Sequence, residues 1–491
     1  MTISIDEMAS FCKRKGLVYP TAEIYGGAAG FYDYGPYGSE MKLNIKNSWW
    51  KHFVRNREDM AGIDGSIITH PGVWRASGHA ENFADLMLVS EDDSFEVRAD
   101  QFLEEQLKKS FDGVTAEEVN KLVAKYKLKA PNGKSFKKCE SFNLMFTTNI
   151  GPDKTDSSSA FLRPETAQLI FADFKLIQEN ARLKLPFGIA QIGKAFRNEI
   201  SPRNFLFRMR EFEQMEIEYF IHPKQNKCPY FKEFEDFEFN VLTADKQQKN
   251  QKPEKMTAKE AVKNKIMKEW HAYFLALNLD WFKSLGVKQK NFRVRQHLKD
   301  ELAHYSTDCW DIEYNFPFGW KELQGVADRS DYDLKRHIEF SKKDLSVYDE
   351  DAKEKIIPHV IAEPSLGVDR AFLVFLFDAY NDDKERGNVV LHLHPKIAPI
   401  TVAVLPLVKN KEEITNKSRM VFNELKKKYN AFYDESGSIG RRYARMDEIG
   451  TPYCVTIDFD TLQDESVTIR DRDSRVQKRV KISDLKNEIK I

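Results

Sequence analysis

Apolar side chains recur at every fourth position along residues 39–57, and the stripe they form consists of Met41, Ile45, Trp49 and Phe53. A period near 3.6 predicts an amphipathic helix, and Ser39, beside a glycine, is its expected N-cap. The next apolar run, residues 62–71, predicts a strand that ends at Pro71. Taken by itself, the stripe fits the core of a domain.

Two runs of alternating apolar residues lie between residues 188 and 220, and they flank the polar stretch NEISPRNFLFRMRE. Alternation predicts β-strands, and the polar stretch predicts the long loop of an antiparallel hairpin. Residues 362–379 then join a short strand to an apolar helix. Beyond residue 395 the order strand, helix, strand, strand predicts a separate small α/β domain.

Two further segments differ in character from their surroundings. Residues 101–140 are charged and predict helix followed by loop, whereas residues 240–268 are rich in Lys and Gln and poor in apolar residues. Both patterns predict insertions at the surface rather than parts of a core.

The composition narrows the class of protein. The 491 residues include 76 Lys and Arg, 76 Asp and Glu, and 41% hydrophobic residues, which is typical of a globular protein and excludes collagen-like, coiled-coil and disordered chains. The longest apolar run, residues 371–377, is far shorter than the roughly 18 residues of a membrane-spanning helix. Five widely spaced cysteines without a C-x-x-C pair indicate a reducing compartment. We therefore expect a cytoplasmic protein without membrane association.

Residues suited to chemistry concentrate on the predicted hairpin. Arg197 and Glu199 lie two positions apart at the end of its first arm, so they share a face. The return arm places four more side chains on one face, namely Phe212, Gln214, Glu216 and Glu218. Guanidinium groups bind phosphate, and an aromatic ring stacks on a base. A surface salt bridge explains any one of these charges, but the cluster predicts a nucleotide site.

The same segment, GKAFRNEISPRNFLFRMREFEQMEIEYF (residues 193–220), resembles motif 2 of the class II aminoacyl-tRNA synthetases. More narrowly, it resembles the homodimeric (α2-type) glycyl-tRNA synthetases. AEPSLGVDRAFLVFL (residues 362–376) resembles motif 3, and GGAAGFYDYGPYGSEMKLNIKNSWWKHFV (residues 26–54) resembles the motif 1 region. Further similar stretches are VRADQ, FLRPETAQ, WKELQGVADRSDYDL and GSIGRRYARMDEIGTPYCVTID. The resemblance covers nearly the whole chain, in order.

The resemblance implies an α+β fold with a class II catalytic domain on an antiparallel β-sheet with flanking helices. This domain would span residues 1–395 with insertions at about 101–140 and 221–268, and an anticodon-binding α/β domain would span residues 396–491. In this family motif 1 forms a dimer interface, which the Trp49–Trp50 face suits, so a homodimer is expected.

The resemblance also implies an activity. The enzyme would activate glycine with ATP to glycyl-adenylate and pyrophosphate, and would then transfer the glycyl group to the 3′-terminal adenosine of tRNA(Gly). Neither step needs a protein nucleophile, because the glycine carboxylate itself attacks the α-phosphorus. ATP with Mg²⁺ is the expected co-substrate, and glycine and tRNA(Gly) are the expected partners.

The family's site residues carry over onto matching positions of this chain. The catalytic groups would be Arg197, Glu199 and Arg370. The glycine site would consist of Arg98, facing the carboxylate, with Glu165, Phe212, Glu213, Gln214, Met215, Glu216, Glu363, Pro364, Ser365, Leu366 and Gly367. The ATP site would consist of Arg197, Asn198, Glu199, Phe207, Arg208, Met209, Arg210, Glu211, Phe212, Glu322, Leu323, Gly367, Val368, Asp369 and Arg370.

Within these sets the resemblance implies particular roles. Phe212 and Arg370 would lie on opposite faces of adenine, and Glu322 would hold Mg²⁺. In the C-terminal domain, the tRNA contacts would be Arg441, Arg442, Tyr443 and Arg445.

The chain departs from the family pattern in two respects, its cysteines and the Lys- and Gln-rich tract around 243–268, which looks extended, and two other interpretations stay open. Many relatives carry paired cysteines before the segment that matches SFNLMFTT, but only Cys139 stands here, so no structural zinc is expected. One alternative is a catalytically retired class II synthetase-like subunit that binds nucleic acid. The other is a prolyl-, threonyl- or histidyl-tRNA synthetase, which shares the domain plan but not the acids of FEQMEIE and EPSLG.

Overall fold

A computed structural model gives the structure of the protein and describes residues 3–109, 111, 114–152, 159–303, 305–350 and 353–490, apart from the side chain of Asn82. The N-terminal elements are α1 (Ile5–Arg14), β1 (Val18–Pro20), β2 (Tyr32–Tyr34), α2 (Pro36–Trp50), β3 (Met60–Ile63), α3 (Pro71–Ala76) and α4 (His79–Asn82). A search of the described helices finds none long and apolar enough to cross a membrane.

Helix α2 and strand β3 differ in their bounds from the sequence prediction. The helix begins at Pro36 because Gly35 is its N-cap and proline fits the first helical turn. The Ser39 hydroxyl is not a cap and donates to the Pro36 carbonyl, at 3.2 Å. Beyond Trp50 the chain makes one wide π-helical turn, and β3 ends at Ile63.

The apolar stripe of α2 lies in the core of its own chain. Met41, Ile45, Trp49 and Phe53 are at most 1% exposed and pack into the main apolar cluster. Trp50 lies against Gly62, where a methyl group in place of hydrogen would come within 2.4 Å of the indole. The assignment of the Trp49 face to a dimer interface is therefore wrong, because residues of the same chain already cover that face.

Residues 84–143 form a small module with its own apolar cluster. Its elements are β4 (Ala84–Val89), β5 (Glu96–Arg98), α5 (Ala99–Leu107), α6 (Ala116–Tyr126) and β6 (Glu140–Asn143), and the hairpin β7 (Thr147–Asn149) and β8 (Ser159–Phe161) follows. The sheet order is β5-β4-β6. The predicted insertion at 101–140 is thus the helical half of a module that begins at Ala84, and its positions 110, 112 and 113 lie outside the described residues.

The middle of the chain builds the central sheet and the helices around it. The elements before residue 300 are α7 (Ala167–Ala172), α8 (Phe174–Asn180), β9 (Phe187–Phe196), β10 (Glu211–Ile221), β11 (Glu238–Leu242), α9 (Ala244–Gln248), β12 (Glu254–Thr257), α10 (Ala258–Lys263), α11 (Glu269–Ser284) and β13 (Phe292–Gln296). Those after it are β14 (Asp308–Phe316), β15 (Gly319–Asp328), α12 (Tyr332–Ser341), β16 (Val347–Asp349), β17 (Glu354–Ile356), β18 (His359–Gly367), α13 (Val368–Ala379), β19 (Tyr380–Asp383) and β20 (Asn388–Leu391).

The central sheet has the strand order β12-β11-β13-β14-β15-β18-β10-β9-β3. Its pairs are antiparallel except β11 with β13 and β3 with β9. The predicted hairpin is the pair β9 and β10, whose register joins Phe196 to Glu211. Helices α11 and α13 cover one face of the sheet, where alternate side chains of β10 (Met215, Ile217 and Tyr219) enter the main apolar cluster. The other face of β10 carries the polar residues Gln214, Glu216 and Glu218.

The Lys- and Gln-rich tract 240–268 extends the central sheet, which corrects its interpretation as a surface insertion. Strands β11 and β12 add to the edge of the sheet, and Val241, Met256 and Ala261 are buried. Few apolar residues suffice because an edge hairpin and a short helix each bury one face only. The exposed residues of the tract concentrate at 249–255.

The C-terminal residues form a second sheet with its own apolar cluster. The elements are β21 (Val402–Pro406), α14 (Glu412–Lys426), β22 (Ala431–Tyr433), α15 (Ile439–Glu448), β23 (Tyr453–Ile457), α16 (Thr461–Asp464), β24 (Ser466–Asp471), β25 (Gln477–Lys481) and α17 (Leu485–Glu488). The order β22-β21-β23-β24-β25 is parallel for its first three strands and antiparallel thereafter.

Two glycine-to-alanine changes are predicted to act in opposite directions. A Cβ at Gly38, in the first turns of α2, would lie 1.8 Å from the Leu17 carbonyl oxygen, whereas a Cβ at Gly440 meets nothing within 4 Å. We expect Gly38→Ala to destabilise the fold by about 3 kcal/mol or more. Gly440→Ala in α15 should stabilise it by about 0.5 kcal/mol. Thermal unfolding of both variants checks this, and equal melting temperatures would contradict the packing of α2 on Leu17.

Candidate active site

A cavity of about 300 Å³ lies on the polar face of the central sheet, and most sequence-predicted site residues line it. They are Glu165, Arg197, Glu199, Phe207, Arg208, Met209, Phe212, Gln214, Glu216, Glu322, Leu323, Glu363, Ser365, Gly367, Asp369 and Arg370. The cavity therefore unites residues that are spread over more than half of the catalytic segment.

Strand pairing sets the floor of the cavity. One row across four strands runs from Asp311 on β14 through Gly325 and Ser365 to Glu216 on β10. The next row runs from Cys309 through Ala327 to Glu363. To these two rows strand β15 contributes only glycine and alanine, and a Cβ at Gly325 would meet nothing closer than 3.8 Å. Because glycine and alanine are the smallest residues, the space over β15, between the acidic side chains of the neighbouring strands, stays open.

One end of the cavity is a buried acidic cluster. Glu165, Glu216 and Glu363 are at most 6% exposed, and Asp333 lies behind them. Arg329 donates to the Glu363 carboxylate at 2.7 Å and to both oxygens of Asp333 at 2.7 and 2.8 Å. The carboxylates outnumber this buried guanidinium, so the cluster suits a bound cation.

Hydrogen bonds hold the individual acids in place. The Glu165 carboxylate accepts from Gln168 at 3.0 Å and lies 3.1 Å from His79 Nε2. Burial acts to raise the pKa of Glu165, but His79 and Arg329 outweigh it and lower that pKa. Burial and the charge of Glu165 raise the pKa of Glu216, which accepts a hydrogen bond from the Thr166 hydroxyl.

The other end of the cavity carries three arginines. Arg208 Nε lies 2.9 Å from a Glu199 carboxylate oxygen, and Arg370 Nη1 lies 3.5 Å from Glu322. The guanidinium of Arg197 lies over the ring of Phe212, at 5.3 Å from its centroid. These three cations beside an aromatic ring fit the phosphates and base of a nucleotide.

The third arginine, Arg370, contacts a different aromatic ring from Arg197. Arg370 lies over Phe207, at 4.5 Å from the ring centroid, and donates to the carbonyls of Phe207 and Glu322 at 3.2 and 3.0 Å. The backbone bonds hold Arg370 at the wall where α13 begins.

His297, Cys309 and Asp311 also line the cavity, and the sequence reasoning missed them. One ligand-type atom from each lies within 4.8 Å of the others, and His297 Nε2 is 2.8 Å from Asp311 Oδ2. Burial raises the pKa of Asp311 to about 6, although His297 opposes the shift. The segment DCWDIEY could have indicated Cys309 and Asp311, because its alternation places both side chains on one face of β14.

Mg²⁺ prefers oxygen ligands, so the residue expected to hold it must offer a carboxylate that faces the cavity. The Glu322 carboxylate is 51% exposed and faces the cavity beside Arg370. Asp311 offers a second carboxylate, whereas the Cys309 thiol is a poor donor for Mg²⁺. The donor set of Glu322 and Asp311 therefore fits Mg²⁺.

Comparisons with known proteins agree with this geometry. Residues 146–378 match the family described as tRNA synthetase class II core domain (G, H, P, S and T), and residues 401–490 match the anticodon binding domain. A glycine–tRNA ligase of Caldanaerobacter subterraneus is 45% identical over 98% of this chain and 96% of its own length. The enzyme of Geobacillus kaustophilus is 43% identical over 99% and 98%.

The chain belongs to the glycine–tRNA ligase family. A prolyl-tRNA synthetase from Cryptosporidium parvum, solved with L-proline and AMP, aligns with a TM-score of 0.55 over 99% of this chain and 74% of that one. At 14% identity this likeness shows the fold alone, and it agrees with the α+β class II architecture.

Some residues carried over from the family lie outside the cavity lining because they point away from it, three of them on the other face of the sheet and Val368 in the first turn of α13. Met215, Leu366 and Val368 are fully buried in the main apolar cluster, beside buried Pro364. Side chains alternate along a strand, so a contiguous motif assigns every second residue to the wrong face. For these four residues the side-chain assignment is corrected.

Other carried-over residues are held by partners outside the cavity. Arg98 pairs with Asp85 at 2.7 Å and with Asp100 at 2.5 Å within the module. Glu213 pairs with Lys42 and Lys46. The rest have local partners: Glu211 binds Lys194, Arg210 donates to the Glu199 carbonyl, and Asn198 donates its backbone N–H to the Leu144 carbonyl.

The cationic segment of α15 consists of exposed Arg441, buried Arg442, and Tyr443 and Arg445, which are half-buried. Arg442 is 2% exposed and donates to the carbonyls of Pro406, Asp434 and Leu407. Tyr443 hydrogen-bonds Thr456, and Arg445 binds Asp434. The assignment of Arg442 as a tRNA contact is wrong in this conformation, because its donors serve the domain interior.

A pair of neighbouring substitutions tests the contrast between Arg441 and Arg442. Arg442→Ala would leave buried carbonyls without donors and should lower domain stability by about 3 kcal/mol. Arg441→Ala changes an exposed residue and should shift stability by less than about 0.5 kcal/mol. Thermal unfolding of both variants measures the difference, and an unchanged melting temperature for Arg442→Ala would contradict its internal role.

Proposed function

We propose that this chain is a glycine–tRNA ligase that forms glycyl-adenylate from glycine and ATP and transfers the glycyl group to the 3′-terminal adenosine of tRNA(Gly). The observation that carries the proposal is one cavity with a buried acidic end and an arginine-rich end. An ammonium group and a polyphosphate would occupy those two ends. A class II synthetase-like subunit without catalytic activity would not need both sets of charges on one face of the sheet.

The acidic end would select glycine. Glu165, Glu216 and Glu363 surround a position for the ammonium group, and the Ser365 hydroxyl, 3.2 Å from Gln214 Nε2, lies at the same level of the sheet. Glycine has no side chain, so selection must come from excluding larger residues while the charged groups bind. The cavity of about 300 Å³ must also hold the nucleotide, which leaves little room for another side chain.

The arginine-rich end would align ATP. Arg197 would hold the α-phosphate, Arg208 the outer phosphates, and Phe212 and Arg370 the base, so that the glycine carboxylate attacks in line. Mg²⁺, when bound at Glu322 with Asp311 nearby, would neutralise phosphate charge. Before ATP binds, the carboxylate of Glu199 balances the charge of Arg208. That of Glu322 balances the charge of Arg370.

The partners follow from the domain plan. The C-terminal residues that match the anticodon binding domain would contact tRNA(Gly), with exposed Arg441 available for a phosphate. We also propose a homodimer in the cytoplasm, through a surface other than the Trp49 face.

The test of the proposed function is ATP–pyrophosphate exchange by the purified chain, with glycine, alanine, serine, proline and threonine offered separately. We expect exchange with glycine alone. Exchange with another amino acid would overturn the substrate assignment, and no exchange with any, in the presence of tRNA(Gly), would overturn the catalytic assignment.

Glu216→Gln should weaken the use of glycine far more than the binding of ATP. The variant removes a charged acceptor for the ammonium group, so we expect the KM for glycine to rise about 100-fold, which corresponds to about 3 kcal/mol. The KM for ATP should change less than about threefold. Glu238→Gln, an exposed acid on strand β11, is the matched control and should leave both constants unchanged. Equal losses for both substrates would contradict the pocket assignment.

Arg370→Ala should abolish adenylate formation and leave tRNA binding nearly intact. The change removes a cation at the base and phosphate end, and we expect a rate loss of about 10³ or more. Single-turnover activation measures the rate, and a filter-binding assay measures tRNA affinity. Parallel loss of tRNA binding would instead indicate that Arg370 supports the fold.

A further inference from the structure

Glu218 lies on the cavity-facing side of β10, two residues beyond Glu216, but the function proposed above gives it no task. Its side chain is fully buried. Neither of its carboxyl oxygens has a hydrogen-bond partner among the described residues. A buried polar group without a partner is costly, so its retention needs an explanation.

The surroundings of Glu218 are dominated by other acids. One carboxyl oxygen each of Glu216, Glu218 and Glu363 lie within 4.8 Å of one another. Two further charged neighbours are Arg329, which follows β15, and Asp333, in the first turn of α12. Arg329 already binds Asp333 and Glu363 at 2.7 Å each, so it has no hydrogen bond to Glu218.

This environment opposes the charged form of Glu218. Burial raises the pKa of the Glu218 carboxyl well above its usual range, and Glu363, Glu216 and Asp333 add to the shift while Arg329 opposes it. Burial, the lack of a hydrogen-bond donor among the described residues and the two neighbouring acids all favour the neutral form of this carboxyl. A cation that enters between those carboxylates would reverse the balance.

We propose that Glu218 is a positioning residue that carries a proton in the empty pocket and releases it when an ammonium group binds between Glu216 and Glu363. The inference rests on the proposed function, because that function places the ammonium group there. The O–H bond of Glu218 breaks, its proton passes to solvent, and the carboxylate gives the cluster one more negative charge to match the new positive one. Ammonium binding is thereby favoured over binding of a neutral group of the same size.

The experiment is calorimetric titration of the full chain with a non-hydrolysable adenylate analogue, 5′-O-(glycylsulfamoyl)adenosine. Its control is the glycolyl analogue, in which a hydroxyl replaces the amino group. Titrations at pH 6.5, where the α-amino group is already charged, are run in two buffers that differ in ionisation enthalpy. The dependence of binding heat on buffer gives the number of protons released.

We expect release of about half to one proton per glycylsulfamoyl analogue bound and none for the glycolyl analogue. In Glu218→Gln the analogue should still bind, and the release should fall to a quarter or less. Glu238→Gln, at an exposed acid of strand β11, should release as many protons as the unchanged chain. Release that persists in Glu218→Gln, or no release from the unchanged chain, would overturn the proposal.

The result separates this proposal from the proposed function. Tight analogue binding without proton release overturns the role of Glu218 alone, whereas failure of the analogue to bind overturns both. Should Glu218→Gln unfold, infrared difference spectra of the unchanged chain decide the question. The carbonyl stretch of a protonated carboxyl should disappear on binding of the glycylsulfamoyl analogue and persist with the glycolyl analogue. Persistence with both analogues would overturn the proposal.

Discussion

The guanidinium of Arg329 is the interaction on which the acidic end of the cavity depends. It is fully buried, binds Asp333 and Glu363, and lies 3.7 Å from the centroid of the Tyr305 ring. A buried charge that loses its partner costs about 3 to 5 kcal/mol, so the acids and Arg329 are stable only together. Because Arg329 follows β15 directly and Asp333 lies in the first turn of α12, this ion pair also fixes how the helix leaves the sheet. The contacts of Arg329 therefore hold in place both the acids of the pocket and the start of helix α12.

Strand alternation explains how much of the site the sequence could predict. The period of two in the hairpin placed Phe212, Gln214 and Glu216 on one face, and the structure shows all three at the cavity. The same rule excludes Met215, which faces helices α11 and α13. That residue was assigned to the site as part of a contiguous motif, although alternation alone would have removed it. Family motifs mark a segment, whereas strand geometry decides which of its side chains reach the cavity.

Other features required tertiary information. The alternation in DCWDIEY gives the face on which Asp311 lies, but not its neighbours. Asp311 joins the acids of the cavity floor because β15, which sets Gly325 opposite it, pairs in turn with β18, and the pairing of strands far apart in the sequence is not encoded in a local pattern. The α2 stripe was correctly predicted as helical, but its partner surface was not, since a buried stripe and an interface stripe have the same period. The last two strands at one end of the sheet, β11 and β12, were not predicted because one-sided burial needs only a few apolar residues, such as Val241 and Met256.

The arginines of the two domains show why charge in sequence does not identify function. In the C-terminal domain Arg470 forms a two-pronged pair with Asp447 at 2.8 and 2.9 Å, and Arg472 donates to the carbonyls of Gly450 and Leu393, so these cations are committed to the interior. In the cavity, Arg370 is 28% exposed and its partner Glu322 is 51% exposed, at a separation of 3.5 Å. A solvated pair of this kind contributes at most about 1 kcal/mol. The base of an incoming nucleotide can therefore take the place of the carboxylate beside Arg370 at little cost. What marks an arginine for ligand binding is a weak, accessible partner rather than the absence of one.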